Sequence, residues 1–239
     1  MNVNELGQPV GDPVPNWVHR PYPATSMLTG DYCRLERLDT DRHSDELFAA
    51  DQADVHGETW TYLAYGPFAD LPAYRRWVLA AAEASDPFFY AVIDTDPRAE
   101  ATTAGRAVGV LSLLRIQPEA GSIEVGHVHY SPLLQHRRGA TETQYLLMRY
   151  AFNDLGYRRY EWKCDALNAP SRAAAVRLGF RYEGTFRQAL VIKGRNRDTA
   201  WYSIIDDEWP LVDRALRSWL APNNFDDRGR QKSSLSRPT

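Results

Sequence analysis

The pattern of hydrophobic and polar positions predicts alternating strands and helices between two ends that have little to bury. Period-two alternation and short β-rich runs predict strands, whereas apolar residues spaced three or four apart predict helices. The predicted strands are 32–38, 88–94, 108–116, 122–130, 158–165, 180–192 and 199–205. The predicted helices are 45–54, 73–84, 140–155, 168–179 and 209–220. This order predicts one α/β domain with helices on both faces of a mixed sheet.

The two ends of the chain differ from this middle part. Residues 1–27 hold five prolines, which favour an extended arm over a helix. Residues 221–239 are mostly Asn, Asp, Arg and Ser, a composition that predicts a flexible polar tail. We therefore expect a single domain over residues 28–220.

Composition and charge narrow the class of protein. The chain has 239 residues, with 28 Lys+Arg against 31 Asp+Glu and a formal charge of −3, which disfavours nucleic acid as a partner. No apolar run approaches the ~20 residues that cross a bilayer, and Met1 is not followed by a secretory pattern. Cys33 and Cys164 are too few for a disulfide framework or a four-thiolate metal site. We expect a cytoplasmic protein without membrane contact, and a homo-oligomer is compatible with this composition.

The loop before the helix near Ala140 is suited to bind phosphate. A helix start presents unpaired backbone N–H groups, and Arg137, Arg138 and Gly139 add charge and room for close approach. The segment matches no Walker or dinucleotide pattern. From these residues alone, an ordinary loop with two solvated arginines is the stronger interpretation.

Six short motifs follow one another in a recognisable order. They are Glu124-Val-Gly126, Ala140-Thr-Glu142, Leu155-Gly156-Tyr157, Asn168-Ala-Pro-Ser171, Gly179-Phe180 and Glu183-Gly-Thr-Phe-Arg187. Together they resemble the GNAT superfamily of N-acetyltransferases, in particular its RimJ/RimL-like branch of ribosomal-protein acetyltransferases. The resemblance is densest over residues 122–205 and rests on element order over 28–116.

This resemblance implies a central, mostly antiparallel sheet and an acetyl-CoA site. It implies an N-acetyltransferase in which a primary amine of a small molecule or a peptide N-terminus attacks the thioester directly. The family's cofactor site corresponds here to His127, Val128, His129, Tyr130, Gln135, Arg137, Arg138, Gly139, Ala140, Thr141, Asn168 and Ser171. The resemblance also makes Ser171 the catalytic proton donor to the leaving thiolate, although a hydroxyl there is equally suited to cap a helix.

The chain departs from the family pattern at three places. Its loop glycine is Gly139 and does not coincide with the usual glycines, Ala175 stands where many members carry a tyrosine acid, and Leu190 stands where a carboxylate base can follow. Glu124 is the best remaining candidate for the catalytic base, because alternation places it on one face with Gly126 and Val128. A carboxylate that positions a neighbouring element is nearly as good an interpretation of Glu124.

The site that binds the acceptor amine is predicted from aromatic and charged residues. The predicted substrate-binding residues are Trp60, Tyr62, Arg187, Lys193 and Asp198. A metal site is not expected, because His127 and His129 share a face but lack a third ligand at a plausible spacing. Two alternatives stay open: a non-catalytic acyl-CoA-binding or regulatory module, and an RNA- or ribosome-binding accessory protein.

Overall fold

An eight-stranded sheet forms the centre of the protein in the computed structural model, which describes residues 2–235. Two short strands of the N-terminal arm, β1 (Asn2–Val3) and β2 (Pro9–Val10), pair only with each other. The central sheet contains β3 (Met27–Thr29), β4 (Cys33–Arg37), β5 (Phe88–Asp94), β6 (Ala107–Gln117), β7 (Ser122–Tyr130), β8 (Arg159–Asp165), β9 (Arg181–Ile192) and β10 (Arg195–Ile205). Its order is β3-β4-β5-β6-β7-β8-β10-β9. Among the strands of the described residues, only β7 and β8 pair in parallel, which confirms a mixed, mostly antiparallel sheet.

Helices cover both faces of this sheet, as predicted. The helices are α1 (Thr40–Asp51), α2 (Leu71–Glu83), α3 (Arg138–Arg149) continued by a π-helical turn (Tyr150–Asp154), α4 (Ala169–Arg177) and α5 (Trp209–Leu220). Helices α1 and α2 pack on one face, where Phe89 and Ala91 of β5 belong to their buried cluster. Tyr90 and Val92 belong to the cluster under α3, α4 and α5. We call the two sides the α1 face and the α3 face.

Two elements begin four or five residues before their predicted starts. Helix α1 begins at Thr40, five residues before the predicted start, because the Asp39 side chain accepts the Arg42 N–H at 2.9 Å and caps the helix. Strand β10 begins at Arg195, because Lys193 and Gly194 both have positive φ (49° and 74°) and turn the chain within two residues. The predicted turn of six residues was therefore too long.

The two terminal segments contact the domain. Trp17 of the arm donates its indole N–H to the Glu119 carbonyl at 2.8 Å, and Tyr22 is 57% exposed. At the other end, the chain forms a 3₁₀ turn at Pro222–Asn224, and Phe225 and Leu235 are buried. The expectation of a tail with almost nothing to bury is thus wrong at Phe225 and Leu235, because two isolated apolar residues find the core. Residues 236–239 of the predicted tail lie outside the described part.

The parallel pair β7–β8 separates along its length. Within residues 2–235 its ladder joins Ser122–Val125 to Arg159–Trp162 and goes no further. At the point of separation β7 carries a bulge, since Val110 pairs with His129 but Ser112 pairs with Gly126, and His127 has φ +50°. Residues 126–130 of β7 and 163–165 of β8 therefore border an opening in the sheet, which we call the wedge.

Candidate functional site

The bulge in β7 decides which side chains face each side of the wedge. His127 and His129 both lie on the α1 face, where they stack on Tyr65 and Trp60 with ring centroids 5.6 and 3.7 Å apart. Val128 packs against the core on the α3 face. The expectation that Val128 shares a face with Glu124 is wrong, because the extra residue of the bulge shifts the alternation by one.

His129 is buried and His127 is partly buried, and both imidazoles are neutral at neutral pH. His127 Nδ1 lies 3.0 Å from the Tyr65 hydroxyl, and His129 Nε2 lies 2.9 Å from Thr59 Oγ1. Burial lowers the pKa of each imidazole to about 4. Asp51, whose Oδ1 lies 3.6 Å from His129 Nδ1, has a pKa that burial raises to about 7. At neutral pH the His129 imidazole is therefore uncharged, and the Asp51 carboxyl is partly ionised.

The start of α3 lies beyond the wedge and carries the two predicted phosphate arginines. Arg137 is the N-cap residue, no side chain caps this turn, and the Arg137 side chain is 42% exposed. The Arg138 side chain is 9% exposed, pairs with Asp96 at 2.5 Å and lies over the Tyr32 ring. The guanidinium of Arg137 is thus the more accessible of the two.

The other predicted residues around α3 have contacts within the protein. The Gln135 side chain donates to the Tyr130 carbonyl at 2.8 Å, and Thr141 Oγ1 accepts from Arg177 at 3.1 Å. Ala140 packs against the core. A Cβ on Gly139 would lie 3.4 Å from the Tyr32 carbonyl oxygen, an ordinary van der Waals distance, so packing against the chain next to β4 does not by itself require glycine here.

The start of α4 borders the other side of the wedge. Asn168 caps this helix by accepting the Ser171 N–H at 3.0 Å. The Trp162 indole N–H donates to Ser171 Oγ, also at 3.0 Å. Since an indole N–H can only donate, the Ser171 hydroxyl hydrogen is not used in this bond. Burial raises the pKa of the neighbouring Cys164 thiol, which the Ser171 hydroxyl partly opposes.

Glu124 is held by two cations. It is 3% exposed, and its carboxylate lies 2.7 Å from Arg115 and 2.8 Å from Lys163. Lys163 also bonds Glu161 at 2.8 Å and lies 3.7 Å from the centroid of the Trp201 ring. A carboxylate in this position orders the strands around the wedge, and its action as a base stays a prediction.

Three of the predicted substrate residues lie together over the α1 face. Lys193 in the β9–β10 turn donates to the Trp60 carbonyl at 2.8 Å, and the Tyr62 hydroxyl donates to the Leu167 carbonyl at 3.3 Å. The Trp60 ring is 3% exposed and packs in the aromatic core. The segment around Trp60 and Tyr62 thus bridges to both the hairpin and the chain after β8.

The other two predicted substrate residues lie at a bulge of β9. Asp198 accepts the Gln188 N–H at 2.7 Å and the Asn196 amide at 3.0 Å. Arg187, nearby, helps lower the pKa of the Asp198 carboxyl, chiefly set by the Gln188 N–H. Both residues line an open hollow of about 790 Å³.

Sequence reasoning missed Trp162 as a functional candidate. Trp162 alternates with Tyr160 and Cys164 as a buried strand residue, so the sequence signals only packing. Within residues 2–235, no group of three His, Cys, Asp or Glu is arranged to hold a metal ion, and no helix is long and apolar enough to cross a bilayer.

Comparison with known proteins decides the family. The family model described as "Acetyltransferase (GNAT) domain" matches residues 34–181. The chain belongs to the GNAT acetyltransferase family. It is therefore an acyltransferase, and the resemblance seen in its motifs is confirmed.

Solved structures and curated relatives agree with this GNAT assignment. A GCN5-related N-acetyltransferase from Brucella melitensis is 46% identical, with a TM-score of 0.88, over 93% of this chain and 97% of that one. The microcin C7 self-immunity acetyltransferase MccE, solved with acetyl-CoA and AMP, shares the fold at 19% identity and a TM-score of 0.61, over 74% and 93% of the two chains. A putative ribosomal N-acetyltransferase of Bacillus subtilis is 36% identical over 63 residues, which span 26% of this chain and 34% of that relative. The GNAT fold uses acetyl-CoA.

Proposed function

We propose that this GNAT protein transfers the acetyl group of acetyl-CoA directly to a primary amine of a small molecule or a peptide N-terminus. The observation that carries the proposal is the wedge, which the uncapped start of α3 and the Ser171 hydroxyl of α4 border on the α3 face. Tyr62 and Lys193 lie on the other face of the sheet, the α1 face, where they bond the Leu167 and Trp60 carbonyls.

The residues around the wedge fit acetyl-CoA. The α3 start offers N–H groups without a side-chain cap, and the half-exposed Arg137 adds a cation for phosphate. The backbone of residues 127–130 has no β8 partner, which suits an extended amide-bearing arm, and Asn168 lies at the end of the wedge. Bound there, acetyl-CoA supplies an activated thioester.

Groups of the protein itself stabilise the charge that develops during the transfer and supply a proton to the leaving thiolate. A bulge leaves backbone N–H groups of β7 out of register with β6, and such a donor stabilises the negative charge that develops on a carbonyl oxygen. The Trp162 N–H occupies one lone pair of Ser171 Oγ, so the Ser171 hydrogen is available to the departing sulfur. The amine loses one proton and the thiolate gains one.

One observation favours the non-catalytic alternative. Ala175 is fully buried, so this helix offers no side-chain acid at the position where many members have tyrosine. In the alternative, the wedge binds acyl-CoA and Ser171 only caps α4.

Calorimetric titration with acetyl-CoA, followed by thiol release across a panel of amines and peptides, tests the proposal. We expect binding and release, with Ser171→Ala lowering kcat about 10- to 100-fold and leaving the acetyl-CoA Kd within about twofold. Ser122→Ala, at the paired end of β7, is the matched control and keeps full activity. Binding without release for every acceptor would favour the module, and no binding would refute both.

A further inference from the structure

Three side chains on β10 each have one buried polar atom without a hydrogen-bond partner among the described residues, and two of these side chains are half-buried as a whole. They are Arg197, Thr199 and Trp201, and the unpaired atoms are Arg197 Nε, Thr199 Oγ1 and Trp201 Nε1. Thr199 is only 5% exposed. We call these three residues the β10 row. An unpaired buried donor costs free energy, so three at alternate positions of one strand indicate a surface built for a ligand.

The β10 row lies beside the wedge. Thr199 pairs with Asp165 and Trp201 pairs with Lys163, the β8 residues that border the opening. The Trp201 ring contacts Lys163, which bonds Glu124 on β7, whereas Ala200 and Tyr202 belong to the core of the α3 face. The row therefore faces the α1 side, the side on which the histidines lie.

The donors of the row determine which chemistry fits. The Arg197 and Trp201 N–H groups can only donate, and the Thr199 hydroxyl can donate as well. An ammonium group would face two N–H groups that cannot accept a hydrogen bond, and in the row it would find an acceptor in the Thr199 oxygen alone. A carboxylate or phosphate presents several acceptor oxygens at once and would satisfy all three.

Charge supports the same ligand. The neighbouring ladder of ion pairs is balanced, since the cations of Arg115, Lys163 and Arg159 face the carboxylates of Glu124, Glu161 and Glu183. The cations at the β9–β10 end form no ion pair within the described part of the chain; they are Arg187, Lys193, Arg195 and Arg197. The Asp198 carboxylate lies among these four cations, and the positive charge that remains next to the unpaired donors attracts an anion.

We propose that the β10 row binds an anionic group, a carboxylate or a phosphate, carried by the acceptor amine. This rests on the proposed function and narrows its substrate class to amines that also bear an anion. The anion holds the acceptor at one end while its amino group reaches the wedge.

Two independent readouts test the row. CoA-saturated protein, whose α3 phosphate site is then filled, is titrated with inorganic phosphate and separately with acetate while the Trp201 indole N–H resonance is followed by NMR. Its assignment comes from Trp201→Phe. We expect a saturable shift with at least one anion and none with tetramethylammonium chloride. Initial rates then compare O-phosphoethanolamine with ethanolamine, and β-alanine with propylamine, and we expect the anionic member of one pair to be preferred.

Conservative variants separate binding from folding. Arg197→Gln and Thr199→Val should each weaken anion binding about tenfold, whereas Arg214→Gln, at an exposed position of α5, changes it less than about twofold. Thr199→Val should leave the unfolding midpoint unchanged or raise it, because it removes an unpaired hydroxyl. An indole resonance that does not shift with either anion, or equal losses in Arg197→Gln and Arg214→Gln, would overturn the inference. Failure of CoA to bind in the first step would instead count against the proposed function.

Discussion

Glu142 and the β10 row are two sets of buried polar groups with opposite surroundings. The Glu142 carboxylate is 4% exposed and accepts the backbone N–H groups of Asp31, Tyr32 and Cys33 at 2.6–2.8 Å. It fills the space beside Gly30 so closely that a Cβ there would collide with it. In contrast, the unpaired atoms of Arg197, Thr199 and Trp201 have no such partners within residues 2–235.

The presence or absence of hydrogen-bond partners distinguishes a polar group that stabilises the fold, Glu142, from the polar groups that we propose bind a ligand, the β10 row. A buried group with its partners supplied by the fold stabilises the fold, as Glu142 joins α3 to the chain leading into β4. A buried group without partners costs stability until a ligand arrives. The Ala-Thr-Glu motif helped to identify the family, yet its glutamate serves architecture, whereas the β10 row belongs to none of the motifs that carried the resemblance.

The largest expected effect on stability comes from removing the Glu142 carboxylate, whose hydrogen bonds are all made within the fold. Glu142→Ala leaves three backbone N–H groups buried without an acceptor and should lower the free energy of unfolding by about 3 kcal/mol or more. Denaturant unfolding measures this, with the exposed Glu119→Ala as control, expected within about 0.5 kcal/mol. A loss below 1 kcal/mol for Glu142→Ala would erase the contrast between the two sets.

His127 and His129 are intermediate between Glu142 and the β10 row, because each imidazole has one hydrogen-bond partner but is kept neutral by burial. They predict that the free energy of unfolding depends on pH. Their pKa values are lowered to about 4, so in the unfolded chain they bind protons below about pH 6.5 that the folded protein refuses, and stability falls as pH drops from about 6.5 to 4. Asp51, with its pKa raised to about 7, acts in the opposite direction, because the folded protein retains its proton as pH rises from about 4 to 7. Two imidazoles outweigh one carboxyl, so these three groups together raise the unfolding free energy by about 1 kcal/mol per pH unit between pH 4.5 and 6.

Denaturant unfolding at several pH values checks this dependence. The difference between the wild type and a double variant, His127→Gln with His129→Gln, isolates the two imidazoles from other titrating groups. In the variant this contribution should disappear and leave the opposite slope of Asp51. Parallel pH curves for the two proteins would show that the histidines are not buried as neutral groups.

The Trp162–Ser171 bond tests whether a satisfied group can also serve catalysis. Trp162→Phe keeps an aromatic ring against Phe180 but frees Ser171 to rotate, and we expect kcat to fall about tenfold with the KM for acetyl-CoA nearly unchanged. The loss should vanish in a Ser171→Ala background, since the two residues act together.

Trp209→Phe is the matched control for this positioning role. It removes another buried indole N–H, bonded to Asn153 at 2.7 Å, and should leave kcat unchanged. If Trp162→Phe and Ser171→Ala have additive effects on kcat, Trp162 contributes only packing.

Arg137 and Arg138 are adjacent in sequence but differ in the same way, since Arg138 is buried and paired whereas Arg137 is half-exposed. Their substitution gives the smallest expected effect. Arg137→Ala should weaken CoA binding about fivefold and leave the binding of dephosphorylated pantetheine unaffected. The Arg137 guanidinium is half-exposed, and its contact with the exposed Glu100 is long, at 3.4 Å, so it can turn to a phosphate. Arg138→Ala should mainly lower the unfolding midpoint, since Asp96 loses its partner. Calorimetry with both ligands distinguishes them, and equal losses of CoA and pantetheine affinity would exclude a phosphate contact for Arg137.

The sequence by itself determined the family, the mixed sheet and the order of the elements from β4 to α5. Each of these follows from local information: apolar spacing marks the faces of α2 and α5, and the short motifs recur in order along one stretch of chain. Local capping was also readable at Asn168, whose side chain needs only the N–H of Ser171, three residues away. Such interactions depend on neighbours in sequence.

Only the tertiary structure decided which of the predicted residues are available. One extra residue in β7 moved Val128 to the α3 face, and Asp96, 42 residues from Arg138, took up that guanidinium. Trp162 met Ser171, and the β10 row was left unpaired, through contacts between strands and helices that no local pattern encodes. The physical reason is that a hydrogen bond depends on a fraction of an ångström, whereas a hydrophobic pattern fixes only which face a side chain occupies.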